Sequence, residues 1–92
     1  MQAVINKCYG GFGLSDEALA HLGEYPDVNW SQHNYRTEPA LVRTVEALGE
    51  RASEDYANLV IVEIEPNKFW RITEYDGYES IEYFDKSKWF KS

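Results

Sequence analysis

Three features of the sequence carry residue types that chemistry uses: a glycine-rich segment, two histidines with one cysteine, and a run of carboxylates late in the chain. The segment "KCYGGFGLSDEA", residues 7–18, follows a strand-like run and precedes a helix start, where a phosphate-cradling loop would sit. Within it, "GFGLSD" has glycine at the first and third positions of a dinucleotide fingerprint. Asp16 fills the sixth position, where a small residue is needed, and no Gly-Lys-Ser/Thr follows. Asp16 and Glu17 also place negative charge at the helix N-terminus that would otherwise attract an anion. The segment therefore reads as a sharp strand-to-helix turn whose glycines permit positive φ, with Tyr9 and Phe12 packing over it. His21, His33 and Cys8 show no metal-ligand spacing, and there is no Cys-x-x-Cys. Cys8 reads as a small buried thiol. The carboxylates come without a nucleophile–base constellation, so the expectation is a non-enzyme with no metal and no cofactor.

Charge narrows the partners. Sixteen acids against nine bases give a net charge of −7, which argues against duplex DNA, whose affinity comes from neutralised phosphates. It suits a protein that is simply kept soluble by its charge, or one that docks on a basic surface. The exception is the tail, where Lys86, Lys88 and Lys91 with Trp89 and Phe90 could meet nucleic-acid phosphates and stack on a base, although three lysines are too few for strong binding alone; the alternative is a solvated tail whose Trp89 folds back on the body. A single cysteine excludes an internal disulfide and fits a reducing cytoplasm. "MQAVINKCYGG" lacks a signal-like apolar run, and no segment has the length or apolarity of a membrane span.

The elements that position these residues follow from pattern. The chain fits one domain, residues 1–92, with 85–92 as a basic tail. Residues 2–8 read as a strand. Ser15 caps a short helix that ends at Gly23, with Leu14 and Leu19 as a hydrophobic staple. Residues 24–37 lack a period and read as a long loop pinned by Trp30 and Tyr35. A second helix runs from a Thr37 cap through Pro39 to Gly49, with Leu41, Val42, Val45 and Leu48 on one stripe. Residues 50–58 are polar, with room for one more helical turn. Strands follow at 59–65, 69–75 and 78–84, the last two joined by Asp76-Gly77, a strong hairpin signal. The predicted fold is an α+β two-layer sandwich of order β-α-α-β-β-β. Its mostly antiparallel sheet, a three-stranded meander plus the first strand, carries both helices on one face.

The two-residue loop fixes the hairpin register. Glu74 falls opposite Glu79, Tyr75 opposite Tyr78, Ile72 opposite Ile81 and Trp70 opposite Tyr83. Trp70, Ile72, Ile81 and Tyr83 share the face assigned to the helices. Phe69, Tyr75, Tyr78 and Phe84 lie on the other. Like charges directly opposite cost a few tenths to about 1 kcal/mol, and residues 74–85 hold five acids and no base. An acidic tip beside tyrosines is suited to protein docking, with tyrosine supplying contact area and acids supplying steering; the alternative is an ordinary solvated tip whose acids discourage edge-to-edge aggregation. The candidate contacts are Glu74, Tyr75, Asp76, Tyr78 and Glu79, with Asn29, Trp30, Gln32, His33, Asn34 and Arg36 of the loop as a second surface.

The segments "INKCYGGFGLSDEA", "TEPALVRTVEALGE", "VIVEIE" and "TEYDGYE" together resemble a family of small proteins encoded by bacteriophages and prophages. The resemblance covers most of the chain and is weakest at residues 24–36 and in the tail. It implies phage origin more than mechanism. An acidic single-domain phage protein without catalytic groups is similar to the anti-CRISPR inhibitors. The resemblance thus implies a stoichiometric inhibitor in the bacterial cytoplasm. Its partner would be a basic, multi-subunit, RNA-guided surveillance complex of type I-F, on which it would block target DNA binding or pairing with the guide. The tail lysines would lie near guide RNA. Two alternatives remain open: a small module binding a nucleotide signal through the glycine loop, and a phage structural or regulatory protein.

Overall fold

A computed structural model describes residues 1–23 and 28–84. The tail lysines Lys86, Lys88 and Lys91 lie outside the described residues. The order is β1 (Gln2–Asn6), α1 (Asp16–Leu22), α2 (Pro39–Leu48), β2 (Leu59–Glu63), β3 (Phe69–Tyr75) and β4 (Tyr78–Phe84). Short 3-10 turns sit at His33–Tyr35 and Gly49–Ala52, the second being the extra turn expected in the polar stretch. The molecule is the expected α+β domain, with antiparallel strand pairs and helices packed against strands. Among the described residues no helix is long and apolar enough to cross a membrane.

Both helices begin and end for identifiable reasons. At α1 the Ser15 Oγ accepts the Ala18 N–H at 3.1 Å, and Gly23, at φ 88°, closes the other end. Ala18 and Leu22, one turn apart, are its buried residues. Leu19 stays 46% exposed, so the expected staple does not bury it. At α2 the cap position belongs to Glu38 rather than Thr37, with no side-chain cap bond. The residue before a proline is held extended, and Glu38 accordingly has φ −62° and ψ 128°, so helical geometry starts at Pro39. Leu41, Val42, Thr44 and Val45 form the buried stripe. Thr44 Oγ1 donates to the Ala40 carbonyl and lies 3.0 Å from His21 Nδ1, which joins the two helices and gives His21 a structural role.

The strands form two separate antiparallel pairs. β1 pairs with β2 from Gln2↔Glu63 to Asn6↔Leu59, and β3 pairs with β4 from Phe69↔Phe84 to Tyr75↔Tyr78. The hairpin register, including Glu74 opposite Glu79, is the one its turn requires. Asp76 and Gly77 both take positive φ, 52° and 89°. The expected meander is replaced by pairing of β2 with β1. Helix α2 lies against that pair and α1 packs on α2, and Val4, Ala18, Leu22, Leu41, Val42, Val45, Ala52 and Leu59 form one core. The face Trp70–Ile72–Ile81–Tyr83 is therefore not the main helix platform. Only Ile72 of the four is fully buried.

β4 runs alongside β1 without joining it as a third strand. The far edge of β1 is satisfied by other groups. Val4 N–H donates to the Arg36 carbonyl at 2.9 Å, the Val4 carbonyl accepts from the Arg36 guanidinium at 3.3 Å, and Asn6 N–H donates to the Glu79 carboxylate at 2.8 Å. A buried edge with unpaired backbone groups would be costly. Here an arginine and a glutamate do the work of a neighbouring strand.

Candidate functional site

Two adjoining constellations sit where the glycine segment, the 29–36 loop and the hairpin tip meet. The first is buried. Arg36 and Glu79 are each 1% exposed and form a two-pronged ion pair, 2.5 Å between Nη1 and Oε1 and 2.8 Å between Nη2 and Oε2. Nε donates to the Trp30 carbonyl at 3.1 Å, Nη2 to the Ser31 carbonyl at 2.6 Å and Nη1 to the Val4 carbonyl. All five guanidinium N–H donors are thereby used. The Phe12 ring lies 3.7 Å from the guanidinium carbon, giving a desolvated cation–π contact. Asn6, fully buried, completes the knot. Its Nδ2 donates to the Cys8 and Gly77 carbonyls at 2.7 and 2.8 Å, and its Oδ1 accepts from Asn58 N–H at 2.8 Å. No buried side-chain nitrogen or oxygen among the described residues lacks a partner.

This corrects two of the candidate contacts. Arg36 and Glu79 are buried rather than facing solvent. The like-charge conflict in the register is resolved by turning Glu79 inward onto Arg36, while Glu74 remains exposed. Neither residue type gives this away, since arginine in a polar loop and glutamate beside a turn ordinarily sit in water. The register did contain a signal. Alternation places Glu79 on the side of Ile72 and Ile81, and a directly opposed glutamate pair calls for a cation nearby.

The second constellation is exposed. The glycines bring it together by letting backbones touch. A Cβ on Gly10 would collide with the backbone of Tyr56, and one on Gly77 would stand 2.6 Å from both Gly11 N and Tyr9 O. The hairpin turn is thus seated on residues 9–11, with Tyr56 close beneath. Tyr9 stacks at a tilt on Tyr78 at 5.2 Å, and Lys7 Nζ lies 5.2 Å from the same ring. Tyr9, Tyr56 and Tyr75 are 64%, 78% and 78% exposed, far above what a core aromatic shows. Glu54, Asp55, Glu74 and Asp76 are exposed around them. The glycine segment therefore does more than turn the chain: it adds Tyr9 and Tyr56 to the tip, a contribution that needs tertiary contacts to be seen.

The 29–36 loop adjoins the other side of the tip. His33 Nε2 lies 3.9 Å from Glu79 Oε2, and His33, Glu74 and Glu79 are within reach of one another. Asn29 Oδ1 accepts from Ser31 N and Oγ, and the Trp30 and Tyr35 rings meet edge-on at 6.3 Å, so the expected pinning of the loop holds. Trp30 is half-buried against the core. Asn29, Gln32, His33 and Asn34 are exposed. The two surfaces expected from sequence are one continuous region, joined through the buried pair.

Compared with protein-family models, curated proteins and solved structures, the chain finds no match.

Proposed function

We propose that the protein is a stoichiometric binding module that docks its tyrosine-and-acid end on a basic, nucleic-acid-holding surface of a larger complex. The observation that carries this reading is the exposure of Tyr9, Tyr56 and Tyr75 beside Glu74 and Asp76 on a tip seated on the glycine segment through close backbone contacts. Interface centres are rich in tyrosine, and a pre-formed tip loses little freedom on binding. The net charge of −7 supplies long-range steering toward a cationic partner. Taken with the phage-like segments, the partner proposed is a type I-F RNA-guided surveillance complex, whose DNA channel the module would occlude in the host cytoplasm, without catalysis and with acids standing where phosphates would lie. The tail lysines are proposed to reach the guide RNA.

Pull-down of purified complex by the wild-type chain and by Glu74→Lys/Asp76→Lys/Tyr75→Ala tests this directly. Capture by the wild type and its loss in the triple variant, at unchanged circular dichroism, supports the reading. Equal capture by both moves the interface elsewhere, and no capture by either removes this partner.

A second reading has one observation in its favour. An open, largely apolar cleft of about 360 Å³ is lined by Phe12, Gly13, Leu14, Leu19, Trp30 and neighbouring loop residues. Its size suits a small ligand. Thermal-shift screening against cyclic nucleotides tests it, because a ligand that binds only the folded state raises Tm.

A further inference from the structure

We propose that His33, Glu74 and Glu79 form a binding site for one first-row divalent cation of the Zn2+ kind. One ligand atom from each residue lies within 4.8 Å of the other two. In a tetrahedral site with bonds of about 2.0–2.2 Å, ligand atoms stand roughly 3.3 Å apart. The cluster must therefore contract by up to about 1.5 Å, and two of its members are free to do so. His33 and Glu74 are exposed side chains, while Glu79 is fixed.

The way Glu79 is held makes it a prepared ligand. Its Oε1 accepts from both Arg36 Nη1 and Asn6 N–H, which fills that oxygen's two lone-pair directions. Its Oε2 accepts only from Arg36 Nη2 among the described residues, and its remaining lone pair is available on the His33 side, where Nε2 stands 3.9 Å away. Ligating carboxylates are commonly oriented by a hydrogen-bonding partner behind them, and Arg36 occupies that position.

Charge points the same way. Two carboxylates meet across the hairpin, and one guanidinium compensates only one of them. Glu74 has no ion-pair or hydrogen-bond partner among the described residues, so a cation would relieve the remaining negative charge. An imidazole with two carboxylates favours Zn2+ over Mg2+ or Ca2+, which prefer all-oxygen shells. The surface position leaves a fourth coordination place for water. This inference is independent of the docking role, although both use Glu74.

The test is isothermal titration of the untagged full chain with ZnCl2, with the visible spectrum of Co2+ as a second readout of coordination. The expected result is one equivalent of Zn2+ per chain. His33→Ala and Glu74→Gln, both at exposed positions, should each weaken binding by at least about tenfold. His21→Ala and Cys8→Ser should leave it unchanged. Absence of saturable uptake, or uptake unaltered in both His33→Ala and Glu74→Gln, overturns the proposal.

Discussion

Replacing Glu79 by Gln should be among the most damaging single changes in the molecule, although glutamate beside a hairpin turn looks dispensable. The substitution keeps size and shape and removes one charge. It leaves the Arg36 guanidinium 1% exposed with no counter-charge and weakens the acceptor for Asn6 N–H. Removing one partner of a buried pair typically costs about 3–5 kcal/mol. A 92-residue domain has a total stability of roughly 5–14 kcal/mol. The change therefore removes about a fifth or more of it and lowers Tm by at least about 12 °C. Arg36→Met should cost a similar amount, because it strands the carboxylate. The double variant Arg36→Met/Glu79→Leu separates burial from pairing. Neither charge is left alone, so it should be less destabilised than the sum of Arg36→Met and Glu79→Leu, each made alone, by about 1–3 kcal/mol. Part of the cost stays, since Asn6 N–H loses its acceptor. Urea unfolding followed by tryptophan fluorescence measures the wild type and these variants, Glu79→Leu included, with Trp30 next to the pair as a local reporter. A Glu79→Gln cost under about 1 kcal/mol, at unchanged m, would show that the pair is not buried as described and refute the reasoning.

Further outcomes follow from the same contacts. Gly10→Ala forces a methyl into the Tyr56 backbone and should cost about 1–3 kcal/mol, whereas Gly11→Ala, open to solvent at φ 93°, should cost only the left-handed penalty of about 1–2 kcal/mol; thermal melts rank them. Asn6→Ala removes two donors and one acceptor from a fully buried site, and should destabilise by roughly 2–4 kcal/mol in urea titration. Glu74→Lys, at an exposed position opposite Glu79, should change stability by no more than about 0.5 kcal/mol while weakening docking, so a pull-down and a melt on one preparation separate the two roles.

Local rules made much of the fold legible. Ser15, Gly23, Pro39 and Gly49 mark helix ends through backbone chemistry that needs no tertiary context. Asp76-Gly77 sets the hairpin register because both residues take positive φ. What local rules could not supply was which strands pair across long separations. Leu59–Glu63 alternates as well for a meander as for pairing with Gln2–Asn6, and the choice depends on the packing of α2. The same limit hid the buried knot, in which Arg36 and Glu79 are 43 residues apart and each taken alone resembles a surface charge. Of the candidate site, Glu74, Tyr75 and Asp76 are exposed as the pattern suggested. Tyr9 and Tyr56 joined them only through glycine contacts that sequence spacing does not encode.

The most direct measurement of the docking account is competition on a purified type I-F surveillance complex between labelled target DNA and this protein. The account predicts displacement of DNA at one protein per binding site, with the apparent inhibition constant rising as DNA concentration rises. It also predicts weaker inhibition by Glu74→Lys/Asp76→Lys/Tyr75→Ala and by added salt, which screens the steering charge. DNA binding unchanged at saturating protein, or inhibition indifferent to those three substitutions, would contradict it.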